Sequence, residues 1–179
     1  MDDSLLPEQT PAEYFKGLIE TALSRQHLHA TELTSYYLVD LLCRFVRPET
    51  RVPFLEEQGQ PLALRLAKAL ECGGMEKRAR LRSLGDISLF TSGYFSDSLR
   101  SGAVDVDYYV SMGEYAYGSL SRRDTDAFGE VFGELARKFV GYMDVLADVS
   151  ERTGGTRPDV LRKYDKLLRT AVPTSKFIQ

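Results

Sequence analysis

The chain has no tryptophan, and only two histidines and two cysteines among its 179 residues. Cys43 and Cys72 lie far apart, form no Cys-x-x-Cys pair and fall on apolar helix faces, so buried thiols are expected, not a disulfide or a metal site. His27 and His29 alternate in RQHLHATE, where Glu20 or Glu32 is the nearest oxygen donor. A stable site takes three or four ligands held in place, and two on a turn do not make one. His-Glu-x-x-His and the paired Glu-x-x-His of di-iron bundles are absent, as are the phosphate-cradling glycine loops and the Gly-x-Ser-x-Gly elbow. Neither a metal nor a cofactor is therefore expected.

Long apolar runs are missing too. Nothing approaches the roughly 18 consecutive apolar residues of a membrane span. The opening MDDSLLPEQTP carries acids where a secretion signal carries bases, so a cytoplasmic protein is expected. A net charge of −3 gives no bulk attraction to a polyanion, and with no recognisable nucleic-acid motif that class of partner is not expected.

What is present is helical rhythm. Thr10-Pro11-Ala12-Glu13 has the form of a capping box with proline in the first turn, and Phe15, Leu18, Ile19, Ala22 and Leu23 follow at helical spacing. A second helix runs from Glu32 or Ser35 to Arg47, apolar on most sides and stopped by Pro48. Residues 48–60 read as a loop. PLALRLAKALEC makes a third helix ended by Gly73-Gly74, and Met75 to Leu84 a fourth. Asp105 or Asp107 caps a fifth that extends to Ser121.

The sixth helix is the longest, from Asp124 or Thr125 to Val149, with Phe128, Val131, Phe132, Leu135, Phe139, Tyr142 and Leu146 in a three-and-four rhythm. Glycines at 129, 133 and 141 each cost about 1 kcal/mol of helix propensity, which implies close approach by a neighbour. A last helix spans 156–170 beyond Gly154-Gly155, and residues 156–179 carry six basic groups against two acidic. The expectation is one all-α domain over 1–179, an irregular bundle of about seven helices built around the second, fifth and sixth. Residues 1–9 and 171–179 are its candidates for mobile ends.

Between the fourth and fifth helices lies SLGDISLFTSGYFSDSLRSG, residues 83–102. Its composition reads as short helices and turns, with Gly85 and Gly93 turning the backbone and a hairpin as the competing form. A loop that spends Leu89, Phe90, Tyr94 and Phe95 either packs over the core as a lid or offers a surface to another protein. The second is the leading reading: a protein-interaction or regulatory domain without catalysis of its own, its partner a protein and self-association as a dimer included.

The competing reading is a ligand-binding or enzymatic domain with a tyrosine-lined pocket formed by Asp86, Asp105, Tyr108, Tyr109 and Tyr115, residues that combine apolar bodies with polar tips. Lys77, Arg78 and Arg82 in KRARLR form a third candidate, an anion-binding cluster, though acids interrupt it and such runs are usually solvated helix faces.

Overall fold

The computed structural model describes residues 9–46, 60–101 and 105–153. These form eight helices, with no strand among the described residues: α1 (Pro11–Arg25), α2 (Glu32–Val46), α3 (Leu62–Glu71), α4 (Gly74–Tyr94), α5 (Ser96–Ser101), α6 (Val106–Arg123), α7 (Ala127–Arg137) and α8 (Phe139–Thr153). The fold is an all-α bundle. None of these helices is long and apolar enough to cross a membrane. Residues 48–59 of the expected loop 48–60, the last helix 156–170 with its basic cluster, and residues 1–8 and 171–179 of the expected mobile ends lie outside the described residues.

Local signals set most helix starts. Thr10 and Glu13 close the capping box: the Glu13 amide donates to Thr10 Oγ1 at 3.2 Å and the Thr10 amide to Glu13 Oε2 at 2.8 Å. Asp105 caps α6, its side chain accepting from the Asp107 amide. At α7 the cap is Asp126, one or two residues later than expected, accepting from the amides of Phe128 and Gly129. The single long helix expected from 124 to 149 is two, separated at Lys138. The apolar rhythm runs on across this one-residue break, which is why it left no trace in the pattern.

At the centre of the bundle, beside the expected fifth helix α6, lies α4, which was not among the expected central three. It packs against α2, α3, α6 and α8. Every residue from Ser83 to Phe95 is buried, and the chain is one continuous helix as far as Tyr94 where short helices and turns were expected. Leu89, Phe90, Tyr94 and Phe95 are 0%, 1%, 4% and 1% exposed, so they are core and offer no surface to a partner. Phe90 stacks on Phe45 at 4.3 Å and on Tyr94 at 5.1 Å, with Phe95 edge-on at 5.5 Å. Such ring pairs add about 0.5–1.5 kcal/mol each beyond area burial.

Ser92 fits inside because it donates back to the Ser88 carbonyl at 2.7 Å, satisfying its hydroxyl within the helix, whereas the Ser88 hydroxyl is buried without a hydrogen-bond partner. Gly85 and Gly93 are helical too; among the described glycines only Gly74 has a positive φ, at 56°. Their role is space. A Cβ on Gly85 would sit 2.6 Å from the Tyr117 ring, and one on Gly93 would meet Leu146 Cβ at 2.7 Å and the Met143 carbonyl at 2.8 Å. The expected close approaches in α7 and α8 are present as well, from Ser121 at Gly133 and Leu28 at Gly141.

A buried carboxylate ties α2 to α7. Glu134, 4% exposed, accepts from Thr34 Oγ1 at 2.6 Å, Thr31 Oγ1 at 2.8 Å, the Thr31 amide at 3.2 Å and Tyr142 Oη at 2.7 Å. It thus stands at the start of α2, where the helix dipole favours negative charge. Burial pushes its pKa up, but the hydrogen bonds from Thr34, Tyr142 and Thr31 outweigh burial and lower it from 4.5 to about 2.

Two predictions follow from this packing. In chemical denaturation, Gly85→Ala and Gly93→Ala each lose roughly 1–3 kcal/mol through overpacking. Gly17→Ala, whose Cβ would meet nothing within 4 Å, gains roughly 0.5–1 kcal/mol of helix propensity. The opposite ordering would contradict the packing. For Glu134 the folded pKa lies below the unfolded one, so its stabilisation is fully present above pH 4.5 and is lost as pH falls toward about 2. That loss is on the order of 3 kcal/mol. Unfolding free energies of wild type and Glu134→Gln should converge over this interval; a gap independent of pH would contradict the assignment.

Candidate functional site

Polar side chains buried at the centre of α4 form the first place to look for chemistry. Asp86 is 2% exposed and receives donors from two other helices. Tyr37 Oη of α2 and Tyr117 Oη of α6 both donate to its Oδ1, at 2.6 and 2.7 Å. Arg44 Nη1 of α2 donates to Oδ2 at 3.0 Å, and Arg82 Nε, one turn before Asp86 on α4, lies 3.8 Å from Oδ2. Arg82 Nε also donates to Tyr37 Oη at 3.1 Å, with its guanidinium 5.2 Å from the centre of the Tyr37 ring. Phe132 of α7 closes the cluster, stacked on Tyr117 at 5.8 Å and edge-on to Tyr37 at 5.7 Å.

The electrostatics of this cluster keep protons where they are. Burial, and then the adjacent Asp86 charge, push the hydroxyls of Tyr37 and Tyr117 well above the usual phenol range, so both act as donors. Burial works against the charge on Arg44, but Asp86, Tyr37 and Asp40 more than compensate and raise its pKa. Arg44 Nε also pairs with Asp40 Oδ2 at 2.8 Å. Donors directed onto one acceptor tie α2, α4 and α6 together.

The sequence-predicted pocket residues do not converge. Asp86 is at the centre of the bundle, whereas Asp105 caps α6 at the surface. Tyr108 Oη accepts from the Ala63 amide at 2.8 Å and so braces α3, Tyr109 is buried against the core, and Tyr115 points outward, 45% exposed. The basic run is dispersed into separate pairings. Arg78 forms an ion pair with Asp124 at 2.8 Å, Arg82 turns toward Asp86 and Tyr37, and Lys77 is half-buried. No anion site is assembled from Lys77, Arg78 and Arg82. Among the described residues, no group of three or more His, Cys, Asp or Glu is placed to hold a metal ion.

What the sequence did not single out is a groove that borders this cluster. Between α2 and α7 runs a groove of about 290 Å³, lined by Leu33, Tyr36, Phe128 and Val131, with Tyr37 and Arg82 among its other walls. Leu33, Tyr36 and Phe128 are 54%, 72% and 52% exposed. Phe128 belongs to the apolar rhythm expected to face the core, but as the second residue of α7 it sits at an open end of the helix. Leu33 and Tyr36 are one helical turn apart on the outer side of α2. Adjacent apolar positions around a helix that is apolar on most sides were the only trace of this surface in the sequence.

Two wider grooves adjoin it. One of about 460 Å³ lies between α1 and α2 and shares Tyr36; another of about 810 Å³ passes the starts of α2 and α7 and shares Leu33. The three meet along the exposed ridge of α2. The scan against protein-family models, the search of curated proteins and the search of solved structures each found no match to this chain.

Proposed function

We propose that this chain is a protein-interaction domain without catalysis of its own, which receives its partner on the groove between α2 and α7. The observation that carries this is the meeting of three large, exposed apolar side chains, Leu33, Tyr36 and Phe128, at one concave surface. Scattered exposed apolar residues are ordinary, whereas several around one groove mark a place where burial on binding has something to gain. At about 25 cal/mol per Å² of apolar area, aromatic anchors such as Tyr36 and Phe128 are the natural source of affinity. The buried titratable groups described above serve as structural ties, which supports reading the activity at the surface.

A smaller reading rests on Arg82 at the wall of the same groove, with its cation over the Tyr37 ring. That arrangement suits a small aromatic anion, and such a ligand would be displaced by mutation of Arg82 more than of Phe128.

Site-specific photocrosslinking separates these outcomes. With a photoreactive phenylalanine at position 36 or 128, cells should yield a discrete protein adduct, while the same group at the exposed Tyr115 should not. An adduct of twice the chain mass identifies a second copy as the partner. Equal labelling at all three positions, or none at 36 and 128, would contradict a docking role for this groove.

A further inference from the structure

We infer that Thr125 is an acceptor site for phosphorylation by a protein kinase that reads arginine. This stands apart from the docking role proposed above, and neither depends on the other.

The sequence carries the first half of the argument. Arg122-Arg123-Asp124-Thr125 places arginines three and two residues before a hydroxyl. Kinases that select basic substrates meet such arginines with acids beside the active site, so the spacing decides which hydroxyl reaches the phosphate. The pattern recurs elsewhere. In Arg78-Ala79-Arg80-Leu81-Arg82-Ser83, arginines stand five, three and one residues before Ser83.

The structure separates the two hydroxyls. Ser83 lies inside α4, 6% exposed, and accepts from Arg65 Nη2 at 3.4 Å. Reaching it requires opening the central helix. Thr125 is exposed in the three-residue connection between α6 and α7, and Arg122 and Arg123 are exposed with it. Both arginines belong to the last turn of α6, closed by the Asp124 amide on the Leu120 carbonyl at 2.9 Å. Arg122 reaches the Ser119 hydroxyl at only 3.3 Å. A kinase takes its substrate extended, and opening one terminal turn costs far less than opening α4. The acids beside Thr125 are already engaged, Asp124 by Arg78 at 2.8 Å and Asp126 by the amides of Phe128 and Gly129. They therefore compete little with the arginines.

The co-reactant is a nucleoside triphosphate. Thr125 Oγ1 attacks the γ-phosphorus of ATP, its proton passes to the catalytic aspartate of the kinase, the bond to the bridging oxygen breaks and ADP leaves. The product carries close to two negative charges at pH 7, on the wall of the groove that shares Leu33 with the docking surface.

The test incubates the full chain with a purified arginine-directed serine/threonine kinase and Mg-ATP, with the site read by mass spectrometry. Phosphate should appear on Thr125 and not on Ser83, whereas a synthetic peptide of residues 78–88 should be labelled at Ser83. Arg122→Ala with Arg123→Ala should slow the labelling of Thr125 at least about tenfold. Arg78→Ala, which releases Asp124 and loosens the connection, should hasten it about two- to fivefold. Residues 122 and 123 are exposed, so that variant folds, as circular dichroism will verify.

Thr125 left unlabelled in the folded chain overturns the inference, whether or not a peptide of residues 119–131 is labelled. Equal rates in the double-arginine variant and the wild type overturn it as well, because the arginines would then not be what the kinase reads.

Discussion

One carboxylate organises the interior. Asp86, taken out of water on the central helix, must be met by donors, and the chain supplies them from α2 and α6. Burying a charge without partners costs far more than any single contact returns, so the position of Asp86 dictates where Tyr37, Arg44 and Tyr117 stand. Those positions have consequences of their own. The Tyr117 ring lies against Gly85, where a methyl group would collide with it, and Phe132 brings α7 over both tyrosines. Glu134 repeats the device further out, holding the start of α2 to α7. Helices α2, α4, α6 and α7 are thus set in register by two acids as well as by apolar burial.

The side chains around Asp86 are directed at one another, and the tyrosines among them are held as donors by burial and a neighbouring charge. Those same ties position the groove. Tyr37 points inward to Asp86 while its ring walls the groove, and its neighbour Tyr36 points out from the next position on α2. Helix α2, tied at its start to Glu134 and along its length to Asp86, presents Leu33 and Tyr36 outward.

Features that depend on neighbours in sequence could be read from it. The capping box at Thr10–Glu13, the cap at Asp105 and the close contacts at Gly133 and Gly141 each follow from a few adjacent residues and elementary cost. Residues 83–95 were misread for a physical reason. A helix buried on every side shows no amphipathic period, and its serines and glycines, small enough to sit between helices, have the composition of a loop. The Asp86 cluster was half legible. The carboxylate among apolar residues was visible, but its partners come from 49 and 31 residues away, distances over which local pattern says nothing. Phe128 kept perfect rhythm with core residues and still faces water, because periodicity gives a face and not how far along the helix the cover extends.

The most direct test of the organising role of Asp86 is the stability of Asp86→Ala by urea-induced unfolding at neutral pH. Removing the carboxylate strands the Arg44 guanidinium and the Tyr37 and Tyr117 hydroxyls without their shared acceptor, and a loss of about 3–5 kcal/mol is expected. A loss below about 1 kcal/mol, the scale of an exposed ion pair, would show that the bundle does not depend on this interaction.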